Sequence, residues 1–260
     1  MIINQYNFAP AASYGSLTTA WINATGESNT TILNGLDQFD IDTTSLGAKR
    51  KLFYPFVGAT ALKHSYNFFD TAIGQLSFTG GWVQDSYGAT ANGINTIAYT
   101  GIAYNTLVTQ NSAHIGVYSG TDITSNNYLF GVAGDITWYL KCSYIQPGYG
   151  GTTLYMSQNA TDESAFANTD SRGYYGANRV ASGTLQMWKD GVKVSSPSNT
   201  STGVSTKDLT IGALFTEYFT FRHWEGIISG ADCYDGLTDG EEVILRNAMQ
   251  TLQTTLGRQV

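Results

Sequence analysis

The clearest pattern of hydrophobic and polar positions lies in the last third of the chain. Apolar residues alternate with polar ones on both sides of Asp190-Gly191, at Leu185, Met187, Val192 and Val194. An Asp-Gly pair supplies the positive φ values of a tight type I′ turn, so the segment 183–196 predicts a β-hairpin. Similar alternation in the segments 208–215 and 223–236 predicts two further antiparallel strands.

A different periodicity follows, with apolar residues three and four positions apart. The stripe consists of Val243 or Ile244, Leu245, Ala248, Met249, Leu252 and Leu256. It predicts a helix over 239–256. Thr238 and Glu241 match a capping box at its start, and Gly257 is a common C-terminal stop. We expect this helix to pack on helices near the N-terminus, which leaves Arg258–Val260 free to contact a partner.

The N-terminal third also shows helical spacing. The apolar positions are Leu17, Trp21, Ile32, Leu33, Leu36 and Phe39. They predict a short helical hairpin within residues 17–45, with Ser28 or Asn29 as a cap. Gly47 and the basic run Lys49–Lys51 end it, and the sheet begins at Leu52.

Composition favours a single β-rich domain. The 260 residues include 13% aromatic and 13% charged residues and 29 glycines, which is typical of many strands joined by tight turns. We therefore expect a mainly β antiparallel sandwich. It divides into an N-terminal arm and helical segment at 1–50, a β-sandwich at 51–236, and a C-terminal helix and tail at 237–260, all in one globular domain.

Charge and hydropathy argue against two classes of binding partner, nucleic acids and membranes. A formal charge of −7 argues against sequence-independent binding to nucleic acid or an anionic membrane. No apolar run approaches the ~20 residues that cross a bilayer, and the first ten residues lack the features of a signal peptide. We therefore expect synthesis in a reducing cytoplasm.

The cysteines and histidines suggest structural roles. Alternation over 136–144 predicts that Cys142 lies in the core, and with Cys233 as the second cysteine a buried free thiol is favoured over a disulfide. His64 and His114 are fifty positions apart and have no partner at metal-ligand spacing. We expect them to fix loops by hydrogen bonds to the backbone.

The order of elements in the segment 184–260 resembles the last third of a laminin-G or concanavalin-A-like jelly roll. In that fold a "W.DG..V" hairpin precedes "IG" and "G.I....Y...L.D.E" segments. The resemblance implies an antiparallel jelly-roll sandwich of the concanavalin-A-like type.

A narrower resemblance covers almost the whole chain. Its motifs are LFYPFVG at Leu52–Gly58 with Thr60, His64 and Asn67, LSFTGGW at Leu76–Trp82, GATANGIN at Gly88–Asn95, NSAHIGVYS at Asn111–Ser119, and LQTTLGRQV at Leu252–Val260. This arrangement resembles tailed-bacteriophage virion proteins. Ala59 and Ala91 depart from the pattern, which usually has Gly and Pro at those positions.

That resemblance implies a non-enzymatic structural protein on the virion surface, as a tail, fibre or head-decoration component. Its partners would be other virion proteins or copies of itself. We expect it to be made in the host bacterial cytoplasm and assembled into the particle.

A glycoside hydrolase of concanavalin-like fold is an alternative. Such enzymes alternate carboxylates in an E-x-D-x-E strand, and retaining chemistry needs two carboxyl groups about 5 to 5.5 Å apart. The nearest string, Gln38–Asp42, has Asp40 and Asp42 but lacks both glutamates. No nucleophile elbow, zinc-binding helix or phosphate loop is present. The sequence therefore nominates no catalytic residue.

A lectin-like adhesin is the other alternative. Seventeen tyrosines and five tryptophans suit stacking on sugar rings. Two loop-like segments carry our candidate binding residues, Tyr149, Tyr155, Arg172, Tyr174, Tyr175 and Asn178. This surface would contact a host glycan or a neighbouring subunit, and we expect the Tyr174-Tyr175 loop to take part in assembly.

One set of acidic residues is a candidate for binding calcium. It consists of Asp232, Asp235, Asp239, Glu241 and Glu242. These carboxylates could hold the ion, but the last three fall in the first turn of the predicted helix, where negative charge stabilises the helix dipole. We therefore predict neither a metal site nor a cofactor.

Overall fold

The computed structural model describes residues 13–124, 126–132, 142–214 and 222–260, without the side chain of Cys142. The helices are α1 (Ser16–Thr25), α2 (Thr30–Asp42), α3 (Ala61–Ser65) and α4 (Asp239–Thr255). The strands are β1 (Arg50–Tyr54), β2 (Ser77–Thr79), β3 (Val83–Asp85), β4 (Gly88–Asn92), β5 (Ile97–Ala103), β6 (Ala113–Ser119), β7 (Phe130–Val132), β8 (Cys142–Tyr149), β9 (Thr153–Ala160), β10 (Ser164–Ala167), β11 (Gly173–Ala181), β12 (Thr184–Lys189), β13 (Val192–Ser195), β14 (Asp208–Ile211) and β15 (Glu225–Tyr234).

Two antiparallel sheets form a sandwich, as predicted. Among the described strands, the first sheet has the order β13-β12-β11-β6-β15-β4-β3, and β1 also pairs with β15. The second has the order β10-β9-β8-β7-β14-β5-β2. We call them the eight-stranded and the seven-stranded sheet. Their facing sides enclose an apolar core that includes Ile115, Ile145, Met156, Leu209 and Ile211.

A second apolar layer covers the outer side of the eight-stranded sheet. Helices α1, α2 and α4 bury Trp21, Leu36 and Leu252 there against strand residues such as Tyr174 and Tyr234. Gly35 lets α2 and α4 approach closely, because an added Cβ would lie 3.1 Å from Leu252 Cδ1. The prediction that the last helix packs on the N-terminal helices is therefore confirmed.

The turn and the helix caps that the sequence predicts are present in the structure. Asp190 and Gly191 both have positive φ, 50° and 76°, in the β12–β13 hairpin. The Asn29 side chain accepts hydrogen bonds from the backbone N–H groups of Thr31 and Ile32 at the start of α2. Thr238 and Glu241 form the expected capping box of α4.

Of the three C-terminal residues predicted to be free, Arg258 differs from the prediction, because it is 5% exposed, whereas Gln259 and Val260 are exposed. Its guanidinium donates to the carbonyl oxygens of Phe56 at 2.8 Å, Pro55 at 3.1 Å and Ser229 at 3.0 Å. It also donates to Gln253 Oε1 at 2.9 Å. The side chain therefore ties the end of α4 to β15 and to the segment after β1.

Two further expectations concern the cysteines and a membrane. Cys233 is a buried free thiol. The predicted burial of the Cys142 side chain stays a prediction, because that side chain and residues 133–141 lie outside the described part of the chain. Within the described residues no helix is both long and apolar enough to cross a membrane.

Candidate functional site

Buried charges connect the eight-stranded sheet to α4. His114 on β6 lies with its Nδ1 2.8 Å from Glu242 Oε1 and its Nε2 3.2 Å from Asp232 Oδ1. The Tyr174 hydroxyl donates to Asp232 Oδ2 at 2.9 Å. Gly116 leaves room for the Tyr174 hydroxyl, because a Cβ at this position would lie 2.1 Å from the hydroxyl oxygen. All four side chains are at most 2% exposed, so no substrate reaches them.

Protonation of His114 follows from these contacts. Burial opposes the charged ring, but the carboxylates of Glu242 and Asp232 outweigh it and raise the pKa of His114 to about 10. Burial raises the pKa of Glu242. This cluster is therefore a charged structural link.

The expectation that His64 and His114 bond to backbone is wrong. His114 is held by the carboxylates, and His64 Nδ1 lies 2.5 Å from Gln84 Oε1. Burial lowers the pKa of His64 to about 4. The histidine that faces a backbone oxygen is His223, whose Nδ1 lies 3.0 Å from the carbonyl oxygen of Thr96.

Three candidate binding residues do not belong to an exposed surface. Tyr174, Tyr175 and Asn178 lie on the central strand β11 and are 2%, 0% and 0% exposed. Tyr175 faces the core between the sheets, whereas Tyr174 faces the helical layer. Both sides of this strand are covered, so these residues are unavailable for glycan or subunit contact.

Arg172 remains at the surface, but another residue already neutralises its charge. Its Nε and Nη2 donate to the two carboxylate oxygens of Asp170 at 3.0 Å and 2.8 Å. This bidentate pair holds the pKa of Asp170 at about 2. Arg172 therefore shapes its own loop.

Tyr149 and Tyr155 do come together. Their rings meet edge to face, with centroids 5.1 Å apart, at the turn that joins β8 and β9. Tyr149 is 39% exposed and Tyr155 is partly buried. These two predicted residues therefore form one partly accessible aromatic pair.

The pair continues along the outer side of the seven-stranded sheet. Ile145 and Met156 point into the core, so the alternate residues Tyr144 and Tyr155 lie on the opposite face. Tyr128 packs there against Tyr144, with ring centroids 4.9 Å apart. We call Tyr128, Tyr144, Tyr149, Tyr155 and Gln146 the tyrosine face.

Gln146 is the polar member of the tyrosine face. It pairs across the ladder with Tyr155 and is 2% exposed. Its Nε2 is buried and has no hydrogen-bond acceptor among the described residues. A ligand does not reach an amide this deeply buried, just as it does not reach Tyr174. Gln146, Tyr128 and Tyr144 are not among the residues predicted from the sequence, although the alternation of apolar and polar residues along β8 and β9 is visible there.

The acidic set does not converge on a common point. Asp235 pairs with Lys51 at 2.9 Å, Asp239 with Lys193 at 2.5 Å and Glu241 with Lys49 at 2.6 Å. The remaining two carboxylates, Asp232 and Glu242, face His114 as described above. In the described parts of the chain no group of three His, Cys, Asp or Glu residues is arranged to hold a metal ion.

Asp40 and Asp42, the carboxylates of the glycoside hydrolase alternative, each bind a different side chain of the protein. Asp40 Oδ1 accepts from Arg50 Nη1 at 2.8 Å, whereas Asp42 Oδ1 accepts from Gln38 Nε2 at 2.7 Å. Both lie in the last turn of α2. They do not form a pair that flanks a common substrate.

A surface cleft of about 370 Å³ lies away from the tyrosine face, between the start of α2 and the turn before α3. Its charged residues, Glu27 and Lys63, pair with each other at 3.0 Å. Glu27 also accepts the backbone N–H groups of Ser28 and Asn29. The polar groups of the cleft are therefore occupied by the protein itself.

Comparison with known proteins identifies the fold but no family. No family model matches the chain, and no curated protein matches it in sequence. Domain 4 of AbnA, a GH43 extracellular arabinanase from Geobacillus stearothermophilus, in complex with arabinotriose, has a TM-score of 0.50 at 16% identity over 76% of this chain and 98% of that domain.

Sialidases are also similar in structure. A Trypanosoma rangeli sialidase mutant displaying trans-sialidase activity has a TM-score of 0.58 at 12% identity, and the T. rangeli sialidase in complex with sialic acid has 0.53 at 10%. Each match covers 84% of this chain and 38% of the sialidase. The chain thus spans well under half of these enzymes. At such identities the likeness shows a shared β-sandwich fold.

Proposed function

We propose that the chain is a non-catalytic carbohydrate-binding β-sandwich, and that it binds a glycan at the tyrosine face. The observation that carries this proposal is the partly exposed Tyr149–Tyr155 pair. Aromatic faces stack on the apolar side of a sugar ring.

Structural neighbours support the same class of ligand. The arabinanase domain, which the chain covers almost completely, is in complex with arabinotriose. The sialidase match is partial, and one of those enzymes is in complex with sialic acid. Glycan binding is therefore compatible with sandwiches of this shape.

The absence of catalysis is part of the proposal. Its support is that Asp40 and Asp42 are bound to Arg50 and Gln38, far from a shared substrate position. Incubation with labelled arabinan and sialosides, followed by chromatography, should show no sugar release. Release that Asp40→Asn abolishes would contradict this part.

Titration of oligosaccharides against single variants tests the binding site. A panel of neutral and acidic oligosaccharides, including arabinotriose, is first tested for binding to the intact chain. Tyr149→Ala and Tyr155→Ala should each weaken binding of the best ligand about tenfold, because each removes a stacking surface worth about 1.4 kcal/mol.

Tyr87→Ala is the matched control. Tyr87 is 57% exposed and lies between β3 and β4 of the other sheet, so its loss should leave the affinity unchanged. Absence of binding to every member of the panel would overturn the proposal. Binding that survives both tyrosine variants would move the site elsewhere on the chain.

A biological setting follows from the sequence resemblance. We propose that this binding protein is carried on the surface of a tailed-phage particle, on tail, fibre or head. The motifs from Leu52 to Val260 support it. Mass spectrometry of purified particles should detect the chain in fixed stoichiometry, and its loss on gradient purification would contradict the assignment.

A further inference from the structure

A cation lies next to the turn that carries Tyr149. Arg222 Nη1 donates to the carbonyl oxygen of Asn126 at 3.3 Å. The Asn126 side chain in turn accepts from the backbone N–H of Gly150 at 3.1 Å. Gly150 directly follows Tyr149, so two consecutive hydrogen bonds connect the guanidinium to the aromatic pair.

The next residue connects the same segment to the tyrosine face. His223 forms a parallel bridge with Tyr128. Arg222 is therefore held between two points of the face, the β8–β9 turn and Tyr128. Its side chain is exposed and makes its hydrogen bond to a neutral carbonyl oxygen.

Most other cations of the described chain are already neutralised. The pairs are Lys49–Glu241, Arg50–Asp40, Lys51–Asp235, Lys63–Glu27, Arg172–Asp170 and Lys193–Asp239. None of the ion pairs among the described residues includes Arg222. Its guanidinium retains donors for an anion, and a planar guanidinium matches a carboxylate in bidentate fashion.

We infer that the tyrosine face selects glycans that carry a carboxylate, such as uronic or nonulosonic acid sugars, and that Arg222 binds that carboxylate. This inference rests on the proposed function. The net charge of −7 repels anions from the chain as a whole, so an acidic ligand requires a local cation.

The acidic residue of the same face does not oppose this assignment. Glu163 accepts a short hydrogen bond from the Tyr144 hydroxyl, which leaves its negative charge in place. It lies in the turn between β9 and β10, at the opposite end of β9 from Tyr149. The face therefore has a cationic end at Arg222 and an acidic end at Glu163, which would orient an acidic glycan.

Paired ligands that differ only in charge provide the test. Trigalacturonate is compared with its carboxyl-reduced trisaccharide, and sialyllactose with its carboxyl-reduced form, by calorimetric titration of the full chain. We expect at least one acid to bind about tenfold more tightly than its neutral partner. Arg222→Gln should remove that preference without changing the affinity for the neutral sugar, and Arg222→Lys should retain part of it.

Arg246→Gln is the control, because it removes the same unit of charge from α4 on the other side of the molecule. It should leave the preference intact. Equal affinity for acid and neutral sugar in the unchanged chain, or a preference that Arg222→Gln leaves untouched, overturns this inference and leaves glycan binding standing. Binding of neither member of either pair, nor of any sugar in the wider panel, overturns both.

Discussion

Replacing Arg258 with Ala should strongly destabilise the protein. The side chain is 5% exposed, and it donates to three main-chain carbonyl oxygens and one amide oxygen at 2.8 to 3.1 Å. Each buried acceptor that loses its donor costs about 1 kcal/mol or more. The Ser229 oxygen keeps Gln253 Nε2 as a donor at 3.1 Å, so three acceptors lose theirs. Three such losses, partly offset because a buried cation is also removed, give a decrease of about 3 kcal/mol in the free energy of unfolding.

Backbone strain adds to this estimate. Phe56 has a φ of 46°, a conformation that costs a residue with a side chain about 1 kcal/mol. Its carbonyl oxygen is one of the acceptors of Arg258. The guanidinium therefore holds a strained turn in place, and that turn should relax when the guanidinium is absent.

Urea unfolding followed by circular dichroism and tryptophan fluorescence measures the effect. Gln259→Ala, at an exposed neighbouring position, should change the free energy of unfolding by less than about 0.5 kcal/mol. If Arg258→Ala does not fold, Arg258→Lys should still fold with roughly half the loss, because an ammonium group reaches fewer of the acceptors. A loss below about 1.5 kcal/mol for Arg258→Ala would refute the reasoning.

Two further predictions concern backbone conformation and pH. Ala59 has a φ of 57°, so Ala59→Gly should raise the free energy of unfolding by about 0.5–1 kcal/mol, and a lower urea midpoint would contradict this. The pKa of His114 is raised to about 10, so its stabilisation is complete below the unfolded value near 6.5 and is lost as the pH rises toward 10. Between pH 7 and 8.5 the free energy of unfolding should therefore fall by about 1 kcal/mol per pH unit. His64 has a pKa lowered to about 4, so it makes the protein more stable as the pH rises, but this gain is nearly complete at pH 7. A flat profile over that range would show that His114 is neutral in the folded protein.

The sequence predicts those turns and helix caps that depend only on residues close together in the chain. The Asp190-Gly191 turn, the Asn29 cap and the Thr238–Glu241 capping box are each set by residues within four positions of one another. The stripe on α4 likewise indicated a covered face. These features need no knowledge of distant contacts, so the sequence alone was sufficient.

Strand β11 shows where local reasoning fails. Its sequence of Tyr, Gly and Asn was interpreted as an exposed loop because those residues favour turns. Helices cover one side of the strand and the second sheet covers the other, so both alternate sets are buried. The Tyr174 hydroxyl finds a distant acceptor in Asp232, whereas the Tyr175 hydroxyl donates to the carbonyl oxygen of Asp170, five positions away. Burial of this kind depends on topology, which periodicity does not reveal.

The position of the helices also limits where the protein can bind a ligand. On the eight-stranded sheet, α1, α2 and α4 bury the outer face, and His114 with its carboxylates locks α4 onto the strands. In the described residues, no helix packs on the outer face of the seven-stranded sheet, where aromatic rings lie instead. A ligand that approaches the sandwich meets α-helical surface on one side and the tyrosine face on the other. Substitutions under the helices should therefore change stability without changing specificity, whereas Arg222, Tyr149 and Tyr155 should change specificity with little effect on stability.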